Sequence, residues 1–269
     1  MAEENKNFLD VKAEVKKINE MYAADKRQDS FNLLLLGKSG TGKTNLFSTC
    51  VKPVHIDSFD PGGTKHLKPF IKSGEIIVDT RFEGDDPFSP KVFSLWIEEM
   101  KRRDKINYWD HLGTYALDSS TSWGATIMNQ ILKVAGIPGQ TPRFTHDYHP
   151  QKVLIQNWIK SMLRMPCHFI LTGHLDSVKD EVTGQVEYRY MTTGKGDVTI
   201  PLEFDEIWVA DTKETSQGLQ YRILTQKTGS YSSCRTRIGK GVFEQYEKPD
   251  VKYLLTKAGL KTEDKPLFN

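Results

Sequence analysis

The chain has 269 residues, of which 38% are hydrophobic and 27% charged, an ordinary balance for a cored protein that excludes global disorder. A formal net charge of +2 gives no overall basic excess, so any binding of nucleic acid must come from local patches. No apolar run approaches the roughly 20 residues that span a bilayer. The opening Met1–Lys6 lacks the charged-then-apolar layout of a secretory signal. The widely spaced Cys50, Cys167 and Cys234 make neither a metal-ligand pattern nor a disulfide framework, and the expectation is a cytoplasmic protein without a membrane partner.

In chain order, the first element is helical. Phe8, Val11, Val15, Ile18 and Tyr22 recur at alternating steps of three and four, an apolar stripe among charged residues. Such a stripe either caps the protein's own core or docks onto a neighbouring subunit, and two heptads leave both open. From Phe31 onward, apolar strands alternate with helices, the signature of a mostly parallel sheet covered on both faces. The predicted strands are Phe31–Leu36, Val54–Asp57, Glu75–Val78, Tyr115–Leu117, His168–Thr172, Glu206–Ala210 and Tyr221–Thr225. The predicted helices are Thr44–Val51, Pro90–Arg103, Gly124–Ala135 and Gln151–Met165. Val178–Pro201 reads as a hairpin turning at Thr183-Gly184, and a polar tail with a short helix at Val251–Ala258 closes the chain. The expected organisation is an amphipathic helix over 1–30, an α/β core over 31–245 and a tail over 246–269.

The chemistry begins at the end of the first strand. Gly37, Lys38, Ser39, Gly40, Thr41, Gly42, Lys43 and Thr44 form a complete phosphate loop, with Asn45 opening the helix that follows. The glycines let the backbone curl so that successive N–H groups face phosphate oxygens. The helix start adds its positive end, Lys43 neutralises the β- and γ-phosphates, and the Thr44 hydroxyl is placed to ligate Mg²⁺. The expectation is an ATPase binding ATP and magnesium.

A metal-associated carboxylate is expected at a neighbouring strand tip, and Tyr115-Ala116-Leu117-Asp118 supplies Asp118, whose alternative role is a helix cap. An AAA+ machine has Asp-Glu at this point; Asp118-Ser119 is the RecA-like form, so the water-activating acid must come from elsewhere. Glu83 is the leading candidate, with Asp60, Asp57 and Asp79 as rivals. Thr172 and His174 end another strand and are placed to sense a γ-phosphate, or simply to bond a loop. Arg235 and Arg237, at alternate positions, project to one face. They serve either as fingers reaching an adjacent subunit's triphosphate or as charges that discourage edge pairing.

The ordered set of Gly37–Thr44, Leu117-Asp118-Ser119, Leu171-Thr172-Gly173-His174, Gly194-Lys195-Gly196, Ile200-Pro201, Phe204–Trp208 and Thr236-Arg237 resembles phage RecA-like ATPases, in particular the Sak-type single-strand-annealing proteins. The resemblance implies a RecA-like P-loop NTPase fold and ATP-dependent binding of single-stranded DNA in recombination, annealing or repair. It further implies assembly as homo-oligomers or filaments, a phage single-strand-binding protein as a possible partner, and the host cytoplasm as location. Cys234-Arg235 departs from the Lys-x-Arg pair of relatives. By the same resemblance, DNA faces the segments after Asp118 (Trp123, Arg143, Phe144, His146, Tyr148, His149) and after His174 (Lys179, Tyr188, Arg189, Tyr190, Lys195). The alternative function is a nucleotide-gated assembly or loading factor that binds proteins. A small-molecule kinase is disfavoured because no arginine-rich lid segment is evident.

Overall fold

The computed structural model describes residues 2–25, 30–179, 181, 184–193 and 196–268, with side chains in the first helix from Phe8 onward. The elements in order are α1 (Ala2–Ala24), β1 (Asn32–Leu36), β2 (Val54–Ser58), α2 (Lys68–Lys72), β3 (Ile76–Asp79), α3 (Val92–Lys105), β4 (Thr114–Asp118), α4 (Ser120–Val134), α5 (Phe144–Met162) and β5 (His168–Gly173). There follow β6 (Leu175–Lys179), β7 (Val186–Tyr190), α6 (Gly196–Thr199), β8 (Glu206–Thr215), β9 (Gly218–Leu224), β10 (Tyr246–Glu247) and α7 (Val251–Lys257). Eight strands form one sheet in the order β10-β9-β8-β1-β5-β4-β2-β3. From β8 to β3 every pairing is parallel; β9 and β10 join antiparallel at one edge. This is the RecA-like α/β architecture expected, with β5 inserted between the strands that carry the phosphate loop and Asp118.

Alternation along the strands divides the apolar side chains between two cores. Leu34 and Leu36 of β1 and Tyr115 and Leu117 of β4 pack with α3, α4 and α5. Leu33, Leu35 and Ala116 pack on the other face with Leu46, Phe47 and α7. A strand buried on both faces must be apolar at every position, which is why the Leu33–Leu36 run reads as continuous.

Three local differences from the expected elements have physical causes. The segment after the phosphate loop is a 3-10 helix, Thr44–Thr49, rather than an α-helix. The hydroxyls of Ser48 and Thr49 donate to carbonyls three residues back, and Pro53 denies the chain an amide with which to continue. Helix α4 starts at Ser120, immediately after Asp118, and α5 runs through Pro150 to begin at Phe144. The short helix expected in the tail is present as α7, but the tail packs rather than extends: β10 joins the sheet, and Val251, Leu254 and Leu255 of α7 are buried in the second core. The hairpin after His174 is present as antiparallel β6–β7, while its expected turn at Thr183 lies outside the described residues, as do Gly194 and Lys195. Among the described residues, no helix is long and apolar enough to cross a membrane.

Candidate nucleotide site

The phosphate loop leaves β1 at Gly37, where a side chain has no room: a Cβ would lie 2.6 Å from Thr41 Oγ1 and 2.9 Å from the Ala210 carbonyl. Gly40 and Gly42 take φ of 79° and 84°, a conformation L-residues rarely adopt. Among the described residues, no acceptor takes the amides from Lys38 to Asn45. A run of backbone donors without internal partners is the chemistry an anion completes. Lys43 is almost wholly buried, its Nζ donating to the carbonyls of Gly37 (2.8 Å) and Lys38 (2.9 Å). Burial pulls its pKa down, partly opposed by the negative charges of Asp118 and Asp60.

Asp118 meets the loop as expected. Thr44 Oγ1 donates to Asp118 Oδ2 at 2.7 Å, and Thr172 Oγ1 donates to Asp118 Oδ1. Burial raises the carboxyl's pKa, and the two hydroxyl bonds and Lys43 only partly offset this. A buried carboxylate held by two hydroxyls and lacking a paired cation fits a divalent ion, and the acceptor-free amides fit a polyphosphate. Thr44 and Asp118 would hold magnesium, which supplies charge neutralisation at the β- and γ-phosphates. The helix-cap alternative falls away, because Ser119 occupies the cap position of α4. Thr172, expected beside the γ-phosphate, is bonded to Asp118.

The loop and Asp118 line one cavity of about 640 Å³ together with Asp60, Gly63, His66, His174, Tyr221, Ile223 and Pro249. Asp60, rather than Glu83, is the acid that faces it. The hydroxyls of Ser119 and Ser122 donate to Asp60 Oδ1, and His174 Nε2 lies 3.8 Å from Oδ2. Burial alone would raise the Asp60 pKa, but the nearby His174 and the hydroxyls of Ser122 and Ser119 bring it below the ordinary value. Glu83 sits behind, accepting from Ser58 Oγ (2.7 Å) and the Gly62 amide (3.1 Å), and so braces the turn that carries Asp60. The other two rivals, Asp57 and Asp79, are bonded to Arg103 in the opposite core. Unlike Asp118, Asp60 lies two residues beyond the end of its strand, in the turn after Ser58, so no strand-tip pattern marks it.

Arg235 and Arg237 do share a face, but they turn it toward their own chain. Arg235 Nη2 donates to the carbonyls of Pro201, Leu202 and Phe204. Arg237 reaches the Leu202 carbonyl and Asp205 while staying half exposed. Arg235 bridges to Ile207, whose partner on β1 is Leu34, two residues short of the strand tip where the phosphate loop begins. Two expected DNA contacts are corrected: Trp123 is fully buried against Trp96, and Tyr190 is buried beneath the hairpin. Arg143 is paired with Asp147, whereas Phe144 is exposed. Tyr221, which packs over Gly42 at the open end of the cavity, was not singled out by the sequence, because its alternation on β9 only shows when β9 is placed beside the loop.

Sheet order, phosphate loop and Asp118 together define a RecA-like P-loop nucleotide-binding domain of the ATPase class. The profile of the AAA_24 family, described as an AAA domain, matches residues 30–237, and the chain belongs to that family. No curated protein matches the sequence. Among solved structures, a KaiC-like protein from the hyperthermophilic archaeon Pyrococcus horikoshii OT3 is similar at 15% identity and a TM-score of 0.42, over 74% of this chain and 79% of that one.

Proposed function

We propose that the chain hydrolyses Mg-ATP and uses turnover to control its grip on single-stranded DNA, as in phage-type recombination, annealing or repair. The observation that carries this reading is a direct link between the phosphate loop and the β6–β7 hairpin. Lys38 Nζ donates to Tyr188 OH at 3.0 Å and lies 4.3 Å from the centre of its ring. The hairpin rises from the cavity-lining His174, to whose carbonyl the Met191 amide returns at 2.9 Å. It carries Lys179 and Tyr188, basic and aromatic groups of the kind that follow a single strand, while Arg189 is paired with Glu187.

For hydrolysis, Asp60 takes a proton from water as the water oxygen bonds to the γ-phosphorus and the bond to the β-phosphate oxygen breaks. Its pKa lies below the ordinary aspartate value, so it is ionised near neutral pH, and its closeness to the attacking water rather than its basicity must supply the proton acceptor. Lys43 meets the charge on the transferred group, and Thr172 and Thr44 fix Asp118. Of the two arginines, Arg237 is the one with exposed surface to offer a second copy; Arg235 is committed to three carbonyls of its own chain.

The test is ATP turnover with and without single-stranded DNA, repeated as salt rises. The expected result is stimulation by DNA that fades between about 50 and 200 mM salt, as phosphate contacts require. Turnover indifferent to DNA, with no salt-sensitive binding, would leave the alternative of a nucleotide-gated assembly or loading factor, which the exposed apolar stripe of α1 favours.

A further inference from the structure

The phosphate loop runs into a short and imperfect helix. Thr44–Thr49 is a 3-10 helix of six residues, and runs beyond about four are uncommon because their hydrogen bonds are poorly aligned. Its first residue, Thr44, is the one whose hydroxyl holds Asp118, and the Leu46 amide ties the helix back to the carbonyls of Gly42 and Lys43. A turn or slide of this helix therefore moves the loop and the magnesium ligand with it. Such a helix needs partners outside itself, and they come from the far end of the sequence.

Pro249 lines the nucleotide cavity, and α7 starts just after it, with the Val251 amide donating to Thr49 Oγ1 at 2.9 Å. Val251, Leu254 and Leu255 pack in the same core as Leu46 and Phe47. Beyond α7, residues 260–268 form neither helix nor strand and cross the end of the sheet where β2 and β4 start. There Asp264 Oδ1 accepts from the Lys52 amide at 2.6 Å, and the Lys265 amide donates to the Lys52 carbonyl at 2.9 Å, so both backbone groups of Lys52 are held. The buried Lys52 side chain turns back along the chain, where Nζ donates to the carbonyls of Ser48 (2.8 Å) and Phe47 (3.4 Å) in the last turn of the 3-10 helix. Asp264 also pairs with Lys252 at 2.6 Å, and Phe268 stacks on Tyr108 with ring centres 6.0 Å apart. This strap is lightly buried: Asp264 and Phe268 are 43% and 50% exposed, so it can lift without opening the sheet.

We propose that residues 249–268 are a clamp on the phosphate loop, with Lys52 as the positioning residue through which the strap acts. Docked, the strap fixes Lys52, Lys52 fixes the last carbonyls of the 3-10 helix, and that helix holds Thr44 and the loop amides ready for the triphosphate. Lifted, the helix loses this grip and the site loosens. The two events are linked: bound nucleotide must favour the docked strap as strongly as the docked strap favours nucleotide. The inference rests on the nucleotide-site reading and adds to it a control point outside the cavity, at the opposite end of the sheet.

The experiment is calorimetric titration of a non-hydrolysable ATP analogue, with magnesium, into the full chain and its Asp264→Ala, Asp264→Asn and Lys52→Met variants. Neither residue lines the cavity, and circular dichroism confirms that each variant is folded. Asp264→Ala and Lys52→Met should each weaken binding by about fivefold or more, the lower end for coupled sites. Asp264→Asn keeps an oxygen for the Lys52 amide and should recover most of the loss, which a role confined to surface charge would not allow. Saturating analogue should also slow hydrogen exchange at the Lys265 amide in wild type, and fail to do so in Lys52→Met. Analogue binding of equal affinity in wild type and all three variants overturns the clamp and leaves the nucleotide site standing. Asp264→Asn as weak as Asp264→Ala, or Lys265 exchange indifferent to the analogue in wild type, overturns it as well. A wild type that binds no analogue overturns the nucleotide site itself, and the clamp falls with it.

Discussion

Two carboxylates one strand apart have opposite surroundings. Asp57 on β2 pairs in register with Leu117, and Asp118 on β4 pairs with Ser58. Alternation therefore sends them to opposite faces of the sheet. Asp57 enters the core beneath α3 and is saturated: Arg103, Trp96, Tyr115 and His55 all bond to it at 2.7–3.1 Å. Although burial alone would raise its pKa, those partners hold it well below the carboxylate range. Asp118 has two hydroxyls and no adjacent guanidinium, and its pKa is raised. A carboxylate whose charge is already answered stabilises the fold; one whose charge is left open awaits a ligand. His55, Asp57 and Asp79 have the residue types of a metal site, yet Arg103 already fills the position a cation would take.

The sharpest way to break this contrast is Arg103→Leu. It leaves Asp57 and Asp79 buried without their shared cation, and should cost about 3–5 kcal/mol in urea unfolding. The pH dependence has a definite sign. With Arg103 present, the depressed Asp57 contributes stability that is complete above about pH 4 and fades as the pH falls toward its lowered pKa. In the variant that dependence should weaken or reverse. A variant as stable as wild type would show that the network is idle.

At the open site, Lys43→Ala should remove measurable nucleotide affinity in calorimetric titration while leaving thermal stability close to wild type, because the lost lysine was desolvated and bonded only to loop carbonyls. Equal affinity in both proteins would refute the site. One step smaller, Asp60→Asn should slow turnover by about 10²–10⁴ with binding intact, the range for losing a general base. Glu83→Gln should act less, through Ser58 and Gly62, and the reverse ranking would return the catalytic role to Glu83.

These residues also mark what could be read from the chain. The phosphate loop and Asp118 were legible because each is defined locally: a glycine pattern after an apolar run, a carboxylate ending another. Their meeting followed from the sheet order that alternating strands and helices impose. The rank of Asp60 over Glu83 was not legible, because it depends on which of two turns the sheet's twist brings to the cavity. Trp123 misled for a related reason. It follows Asp118 in a stretch with the composition of a loop, yet α4 starts at once and turns the indole into the core beside Trp96 and Trp158. Arg103 reads as one of several basic residues near a helix end, and only the packing of α3 over Asp57 reveals it as buried.

Asp118→Asn separates function from stability. Ionised Asp118 has a raised pKa, so its charge costs stability as the pH rises above the ordinary aspartate value of about 3.9. The neutral amide should therefore raise stability at neutral pH by on the order of 1 kcal/mol while abolishing turnover. Asp57→Asn should lower it, since there the charge is matched. If both asparagine variants shift the melting temperature in the same direction, the distinction between an answered and an open carboxylate fails.

The smallest expected effect probes the link from loop to hairpin. Tyr188→Phe keeps the ring that stacks on Tyr231 at 5.1 Å and lies beneath Lys38, and removes only the hydroxyl that Lys38 bonds. A solvent-exposed bond of this kind contributes about 0.5–1.5 kcal/mol, so stability should scarcely move. Stimulation of ATP turnover by single-stranded DNA should nevertheless fall, because the hairpin then reports to the phosphate loop through ring contact alone. Lys38→Met removes both parts of the contact and should reduce stimulation further. The order wild type, Tyr188→Phe, Lys38→Met is what a physical link predicts. Equal stimulation in all three would mean that the hairpin and the loop are neighbours without being coupled.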